Sequence, residues 1–343
     1  MKTVLVTGAG GYIGSVLVPK LLARGYRVKA VDRFFFGEDK LKDHPHLTLV
    51  KEDTRRLREE VFAQVDFVID LVAMSNDPSG ETFEEVTWQI NHISRVRTAG
   101  MARRLGVKRY ILPSSCSIYG FQDTLVDERA VTNPLTVYSR ANEQAENGVL
   151  ALADAGFCVT VMRQSTVFGY SPRMRFDLAV NGMTYGAWKH KKLPLMRDGN
   201  QYRPMVHIQD TTDVMCLLLE VSPEKINGEI FNVGGEANNY QLGRLGEEVA
   251  ETVSEKINEV VAIEWYGDPD HRSYRVDFSK IKTVLGWEPK WDARRGAEEI
   301  IAKLEDGTLE KDTQGITLDW YNELIKWHRI IKDCERYGGI LEI

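Results

Sequence analysis

Residues 2–7, Lys-Thr-Val-Leu-Val-Thr, are apolar enough to be a buried strand, and glycines follow at once. Val16, Leu17, Leu21 and Leu22 then recur at helical spacing until Gly25 stops the pattern. The alternation repeats along the first half. Runs at 27–31, 47–50, 67–71, 109–113 and 159–163 read as further strands, and 81–105 and 136–153 as long amphipathic helices. Short strands separated by helices need right-handed crossovers, so the pattern predicts a doubly wound α/β fold of Rossmann type, a parallel sheet covered on both faces.

After Phe168 the texture changes. Turn formers crowd 169–175, a helix is predicted over 177–189, and 193–208 alternates irregularly around Gly199 and Pro204. Shorter pieces follow: a helix near 210–220, a strand at 229–233, a helix over 242–255 and a strand around 261–265. This half reads as a smaller mixed α/β lobe. Residues 317–337 place Leu318, Tyr321, Leu324, Ile325, His328 and Ile331 on one face, which predicts a helix packed back on the body. The expected division is 1–168 for the sheet domain, 169–310 for the lobe, interleaved with the first, and 311–343 for the C-terminal helix.

Composition narrows the setting without naming a chemistry. The 343 residues allow about two domains at roughly 150 residues each. A net charge of -6, with 44 basic against 50 acidic residues and no dense Lys/Arg tract, argues against nucleic acid as a partner. No stretch reaches the ~18 uninterrupted apolar residues of a membrane span, and glycines break the apolar run at 1–22 that would otherwise resemble a signal peptide. Cys116, Cys158, Cys216 and Cys334 match neither zinc spacing nor a disulfide scaffold. The expectation is a soluble, unprocessed, cytoplasmic protein. His207 and His271 lack metal-like companions, so no metal site is expected and both read as structural.

The first specific chemistry is Thr7-Gly8-Ala9-Gly10-Gly11-Tyr12-Ile13-Gly14, which leaves a strand and opens a helix. That context suits a dinucleotide: Gly8 permits a tight turn, Gly11 lets backbone approach a pyrophosphate, and Gly14 allows close helix–sheet packing. The diphosphate then meets the free N–H groups of the helix N-terminus. Asp32 ends the second strand, where a carboxylate accepts from the adenosine ribose hydroxyls and repels a 2′-phosphate, favouring NAD over NADP. Arg33 beside it pulls the other way, since a guanidinium can hold a 2′-phosphate. Asp53, after the third strand, is a candidate adenine contact.

Together with Ser114-Ser115-Cys116-Ser117-Ile118-Tyr119-Gly120, Tyr138, 163–169, Arg203-Pro204-Met205-Val206-His207, Phe231-Asn232-Val233-Gly234 and Leu285-Gly286-Trp287-Glu288-Pro289, this turn makes the chain resemble an extended short-chain dehydrogenase/reductase of the nucleotide-sugar epimerase and dehydratase group. The likeness runs from Lys2 to about Trp291. It implies a tightly held NAD in the N-terminal domain, a nucleoside-diphosphate sugar under the lobe, and dimerisation through the helices at 81–105 and 136–153. It adds Tyr12, Ile13, Thr54, Leu71 and Ala73 to the cofactor contacts. Tyr138 matches the tyrosine that moves a proton on a sugar hydroxyl, and Ser115 the hydroxyl that shares it. Arg203 matches the arginine on the substrate diphosphate. Arg272 or Arg275 is a second clamp, and Asn181, Thr166, Cys116 and Ser117 complete the candidate sugar pocket.

Two departures matter. The family places a lysine four residues after the tyrosine, on the same helix face, and here that residue is Asn142. A free phenol titrates near pH 10, so roughly one in a thousand is phenolate at neutral pH, and the lysine ammonium is the group that offsets this. Asn142 can hydrogen-bond the nicotinamide ribose but brings no charge. Arg140, two residues along, points to the opposite side. Compensation has to come from the cofactor's own ring or from a cation elsewhere. Secondly, family 4,6-dehydratases follow the serine or threonine with an acidic pair for eliminating water, and Cys116 and Ser117 stand there instead. The leading reading is an NAD-dependent epimerase working through a transient keto-sugar. The alternatives are a keto-sugar reductase, another dehydratase, lyase or decarboxylase course, and a weakened NAD- and nucleotide-sugar-binding protein.

Overall fold

The computed structural model describes residues 1–268, 272–310 and 312–336. β1 (Thr3–Thr7) is buried at every position, because a central strand covered on both faces has no solvent side. It leads into α1 (Gly14–Ala23), β2 (Arg27–Asp32), β3 (Leu47–Lys51) and β4 (Phe67–Asp70). The helix expected over 81–105 is broken into α2 (Asp77–Thr82), α3 (Glu84–Thr87), a π-helical stretch Trp88–Ser94 and α4 (Arg95–Arg104). Each residue is worth ~100° of helix rotation, so the wider π turns shift the phase of α4 against a continuous helix. The buried stripe of α4 includes Arg95, Thr98, Ala99 and Ala102, with a charged residue at its head.

The chain continues through β5 (Arg109–Ser115), β6 (Phe121–Val126), α5 (Val137–Leu150), β7 (Cys158–Gln164) and β8 (Thr166–Phe168). The second half contributes α6 (Ala179–His190), β9 (Lys192–Met196), β10 (Tyr202–His207), α7 (Ile208–Glu220), β11 (Glu229–Val233), β12 (Asn239–Gln241), α8 (Leu242–Ile257), β13 (Ala262–Tyr266), β14 (Ser273–Val276), α9 (Ser279–Leu285), α10 (Ala293–Glu305) and α11 (Thr317–Arg336). The irregular stretch 193–208 resolves into β9 and β10. The short strands β12 and β14 carry too few alternations to stand out in sequence, and β6 is mostly exposed, so its residues lack a strand's apolar pattern.

Seven strands form the main sheet in the order β11-β7-β5-β4-β1-β2-β3, and every adjacent pair is parallel. From β1 the order runs outward to β3, and from β4 outward to β11, so the direction of winding reverses between β1 and β4. A crevice opens there beyond the carboxyl ends of the strands. β11 enters the sheet from the second half, and Val214, Met215, Leu218 and Leu219 of α7 share one core with Val4, Val6 and Leu17. Residues 169–310 thus contribute to both layers. The lobe has its own core, Val180, Leu193, Leu245, Val249 and Ile301, between α6, α8, α10 and β9. β14 pairs with β6, which ties the lobe to the sheet half. Among the described residues no helix is long and apolar enough to cross a membrane.

Candidate active site

A cavity of about 1040 Å³ fills the crevice and is lined from both halves. One end is made by the glycine turn. Gly8 holds φ +64°, and a Cβ there would lie 2.8 Å from the Val72 nitrogen. Gly14 is crowded by the turn itself: its Cβ would lie 2.5 Å from the carbonyl oxygens of Gly8 and Ala9. That intraturn contact, rather than the expected helix–sheet contact, requires glycine at 14. A Cβ on Gly11 would meet only the Gly8 oxygen, at 3.1 Å, so its open side faces the cavity. No side chain caps α1, which leaves its N-terminal dipole to the cavity.

Tyr12, Ile13, Asp32, Arg33, Asp53, Thr54, Leu71 and Ala73 line this same end. The Asp32 carboxylate accepts from Gly10 N at 3.0 Å and Phe34 N at 2.7 Å. Burial pushes its pKa up, and the backbone hydrogen bonds offset that only in part. Arg33 is drawn to Asp53 at 3.3 Å and lies over the Phe35 ring. The far wall was not foreseen: Tyr321, Leu324, Ile325 and His328 of α11 line the cavity, and Tyr321 meets Phe35, Phe36 and Phe83 edge-on or tilted.

The other end is built on α5. Thr136 and Ser139 cap it reciprocally, so its first turn is well defined and Tyr138 projects into the cavity. Tyr138, Asn142 and Glu146 recur every four residues on one face. Glu146 is bound to Arg163 of β7 at 2.9 Å and accepts from Ser114 of β5, which locks the helix to the sheet. Ser115, the last residue of β5, lines the same end of the cavity as Tyr138. Burial raises the Tyr138 pKa, the Arg95 guanidinium pulls it down, Asp77 pushes it up, and Ser115 and Asn142 lower it by hydrogen bonding. The result stays above the usual phenol value.

Ser117, Thr166, Arg203 and Arg272 also line the cavity. Arg203 reaches the carbonyls of Tyr202 and Arg272, and Arg272 pairs with Asp77 across the two halves. Four expected contacts are corrected. Asn181 is fully buried and spent on Gly169 N, the Tyr12 hydroxyl and the Arg175 carbonyl. Cys116 is fully buried and its thiol donates to the Arg163 carbonyl. Arg275 is exposed and lies over the Tyr202 ring, outside the cavity. Asn142 sits behind the cavity wall, 1% exposed, and holds the Arg95 guanidinium rather than facing the ribose site. His207 is structural, stacked on Trp291 and bound to Glu299, whereas His271 lies outside the described residues.

The model of the NAD dependent epimerase/dehydratase family matches residues 4–234. The chain belongs to that family. UDP-glucuronic acid decarboxylase 6 of Arabidopsis thaliana is a family relative, 30% identical over 315 residues, which cover 85% of this chain and 86% of the relative. The structure of MoeE5 in complex with UDP-glucuronic acid and NAD superposes with a TM-score of 0.79 at 25% identity, covering 89% of this chain and 99% of that one. UDP-glucuronic acid 4-epimerase from Bacillus cereus, 21% identical, shares the fold with the same TM-score of 0.79, over 89% of this chain and 99% of its own.

Proposed function

We propose that the protein is an NAD-dependent nucleotide-sugar epimerase acting on a ring hydroxyl. One observation carries this reading: Tyr138 and Ser115 reach the cavity together, while Cys116 beside them is turned into the core and Ser117 is no acid. Oxidation and return at one ring carbon need only such a proton shuttle, whereas eliminating water needs an added acid–base pair. The bare glycine turn and the Asp32 carboxylate fit NAD, and they hold its diphosphate and adenosine ribose. NAD, when bound, supplies the hydride acceptor and donor.

Tyr138 takes the hydroxyl proton with Ser115 sharing it, and returns it once the keto-sugar has presented its other face. Arg203 and Arg272 hold the substrate diphosphate by charge-assisted hydrogen bonds. The dimensions suit an enclosed substrate, since the cavity of about 1040 Å³ is at the upper end for small-molecule sites. The exposed Ile93 on the 81–105 segment, 57% accessible, supports a homodimer through the helices at 81–105 and 136–153, which sedimentation velocity tests.

Decarboxylation of a nucleotide uronate is the second reading, favoured by the Arabidopsis relatives. It starts with the same oxidation, because a ketone β to a carboxylate loses carbon dioxide. The test is to load the protein with NAD, add UDP-, dTDP-, GDP- and CDP-sugars including UDP-glucuronic acid, and follow the sugar by NMR. Epimerisation inverts one ring carbon and keeps every atom. Release of carbon dioxide selects the second reading, and consumption of NADH by a keto-sugar with no inversion overturns both.

A further inference from the structure

The missing lysine leaves a physical problem, and a residue from another helix answers it. Arg95 heads the buried stripe of α4 and is 2% exposed, yet its side chain forms part of the cavity wall. Its Nε donates to the Val72 carbonyl at 2.9 Å and its Nη1 to Asn142 Oδ1 at 2.9 Å. Among the described residues no carboxylate forms an ion pair with Arg95. Both partners are neutral oxygens, which fix the guanidinium without cancelling its charge. Burying a cation with no counter-charge is costly.

We propose that Arg95, held by Asn142, supplies the positive charge that the family otherwise carries on the lysine of α5, and so sets the acidity of Tyr138. This rests on Tyr138 being the acid–base group. The chain therefore distributes one role over two residues. Asn142 positions, its Oδ1 gripping Arg95 while its amide nitrogen, with no closer partner, is left to the Tyr138 phenol. Arg95 brings the charge from outside α5. Asparagine suits this pairing: a lysine at 142 sets two cations against each other, and an aspartate neutralises the guanidinium.

Among the described residues, several groups act on Tyr138. They include Arg95 from α4, Asp77 from α2, Ser115 from β5, Asn142 from its own helix and Arg175 from the loop before α6. Glu81 accepts from Val137 N one residue away. Asp77 is paired with Arg272 and Arg175 with Asp177, yet Asp77 still pushes the Tyr138 pKa up and so opposes Arg95. Burial works against the Tyr138 phenolate, and the Arg95 guanidinium is the largest influence in its favour.

The test reads Tyr138 itself. Label the NAD-loaded protein with [13Cζ]tyrosine, assign the Tyr138 signal with Y138F, and measure the phenolate fraction at fixed alkaline pH. R95M lowers that fraction about ten- to a hundred-fold and moves the pH profile of kcat/KM to higher pH by the same factor. R95K retains most of it. N142D, which keeps the shape but neutralises Arg95, acts in the same direction as R95M, so the proposal survives a poorly folding R95M. R95M/N142K recovers the phenolate to within about three-fold of the parent, because the cation is returned to the family position. An unmoved Tyr138 titration in both R95M and N142D overturns the proposal, as does R95M/N142K no better than R95M. Full turnover by Y138F removes the catalytic reading instead, while the titration still reports whether Arg95 acts on the phenol.

Discussion

The two ends of the cavity are built in opposite ways. The cofactor end is largely backbone: Gly8, Gly11 and Gly14 lie within seven residues, and their crowding is against the turn's own carbonyls and the adjacent strand end. The chemical end is side chain. Arg95, Ser115, Tyr138 and Arg175 come from four segments separated by tens of residues and meet only in the folded chain. Backbone sites tolerate little change, because a Cβ has nowhere to go. Side-chain sites tolerate relocation, because a long guanidinium from a neighbouring helix reaches where a lysine would have stood.

The largest effect separating the ends is expected from Tyr138→Phe. Losing the proton shuttle lowers kcat about 10³-fold, while retention of NAD, read from nucleotide released on denaturation, is unchanged. In the parent, kcat/KM rises with pH, because the phenol is held above its usual value and the phenolate is the reactive form. A flat profile, or NAD lost with Tyr138, breaks the division between the ends.

Gly8→Val is next and acts at the opposite end. It places a β-branched residue at φ +64° and a Cβ 2.8 Å from the Val72 nitrogen. The strain of about 1–3 kcal/mol weakens NAD at least ten-fold, read by fluorescence titration of the stripped protein. Turnover at saturating NAD falls far less than in Tyr138→Phe.

Tyr321→Ala tests whether α11 belongs to the cofactor end. It removes edge contacts to Phe35, Phe36 and Phe83. The loss of roughly 1 kcal/mol appears as a several-fold faster release of NAD in stopped flow, with kcat for the sugar unchanged. An effect on the sugar KM alone would place α11 with the substrate instead. The smallest change is expected from Arg275→Ala, which is exposed and off the cavity. It shifts the sugar KM by less than about two-fold, whereas Arg203→Ala raises it by at least ten-fold through loss of a charge-assisted hydrogen bond to the diphosphate.

Legibility followed the same divide. The parallel sheet was readable because β1, β4 and β7 are buried on both sides and are predominantly apolar. Asp32 was readable because it closes a strand after the glycine turn, whereas Tyr138 and Ser115 were singled out by the family resemblance. Asn181 and Cys116 looked like pocket residues because they stand beside matching motifs, but burial spends their polar atoms elsewhere. Arg95 gave no signal. An arginine on an amphipathic helix reads as a solvated residue, and only its partners Val72 and Asn142, from other segments, show it to be buried. The pairing of Leu324 and Ile325 with a cavity nearly 300 residues back along the chain was likewise invisible to local pattern.

By itself the sequence determined the layered α/β architecture, the glycine turn and the absence of a lysine at 142, since these depend on hydrophobic period and on single residues in local context. Tertiary structure decided which side chains face the cavity, that β11 of the second half completes the sheet, and where the replacement charge stands. The reason is that burial and helix phase are set by packing between distant segments, and a charge acts through space over several ångströms whichever segment carries it.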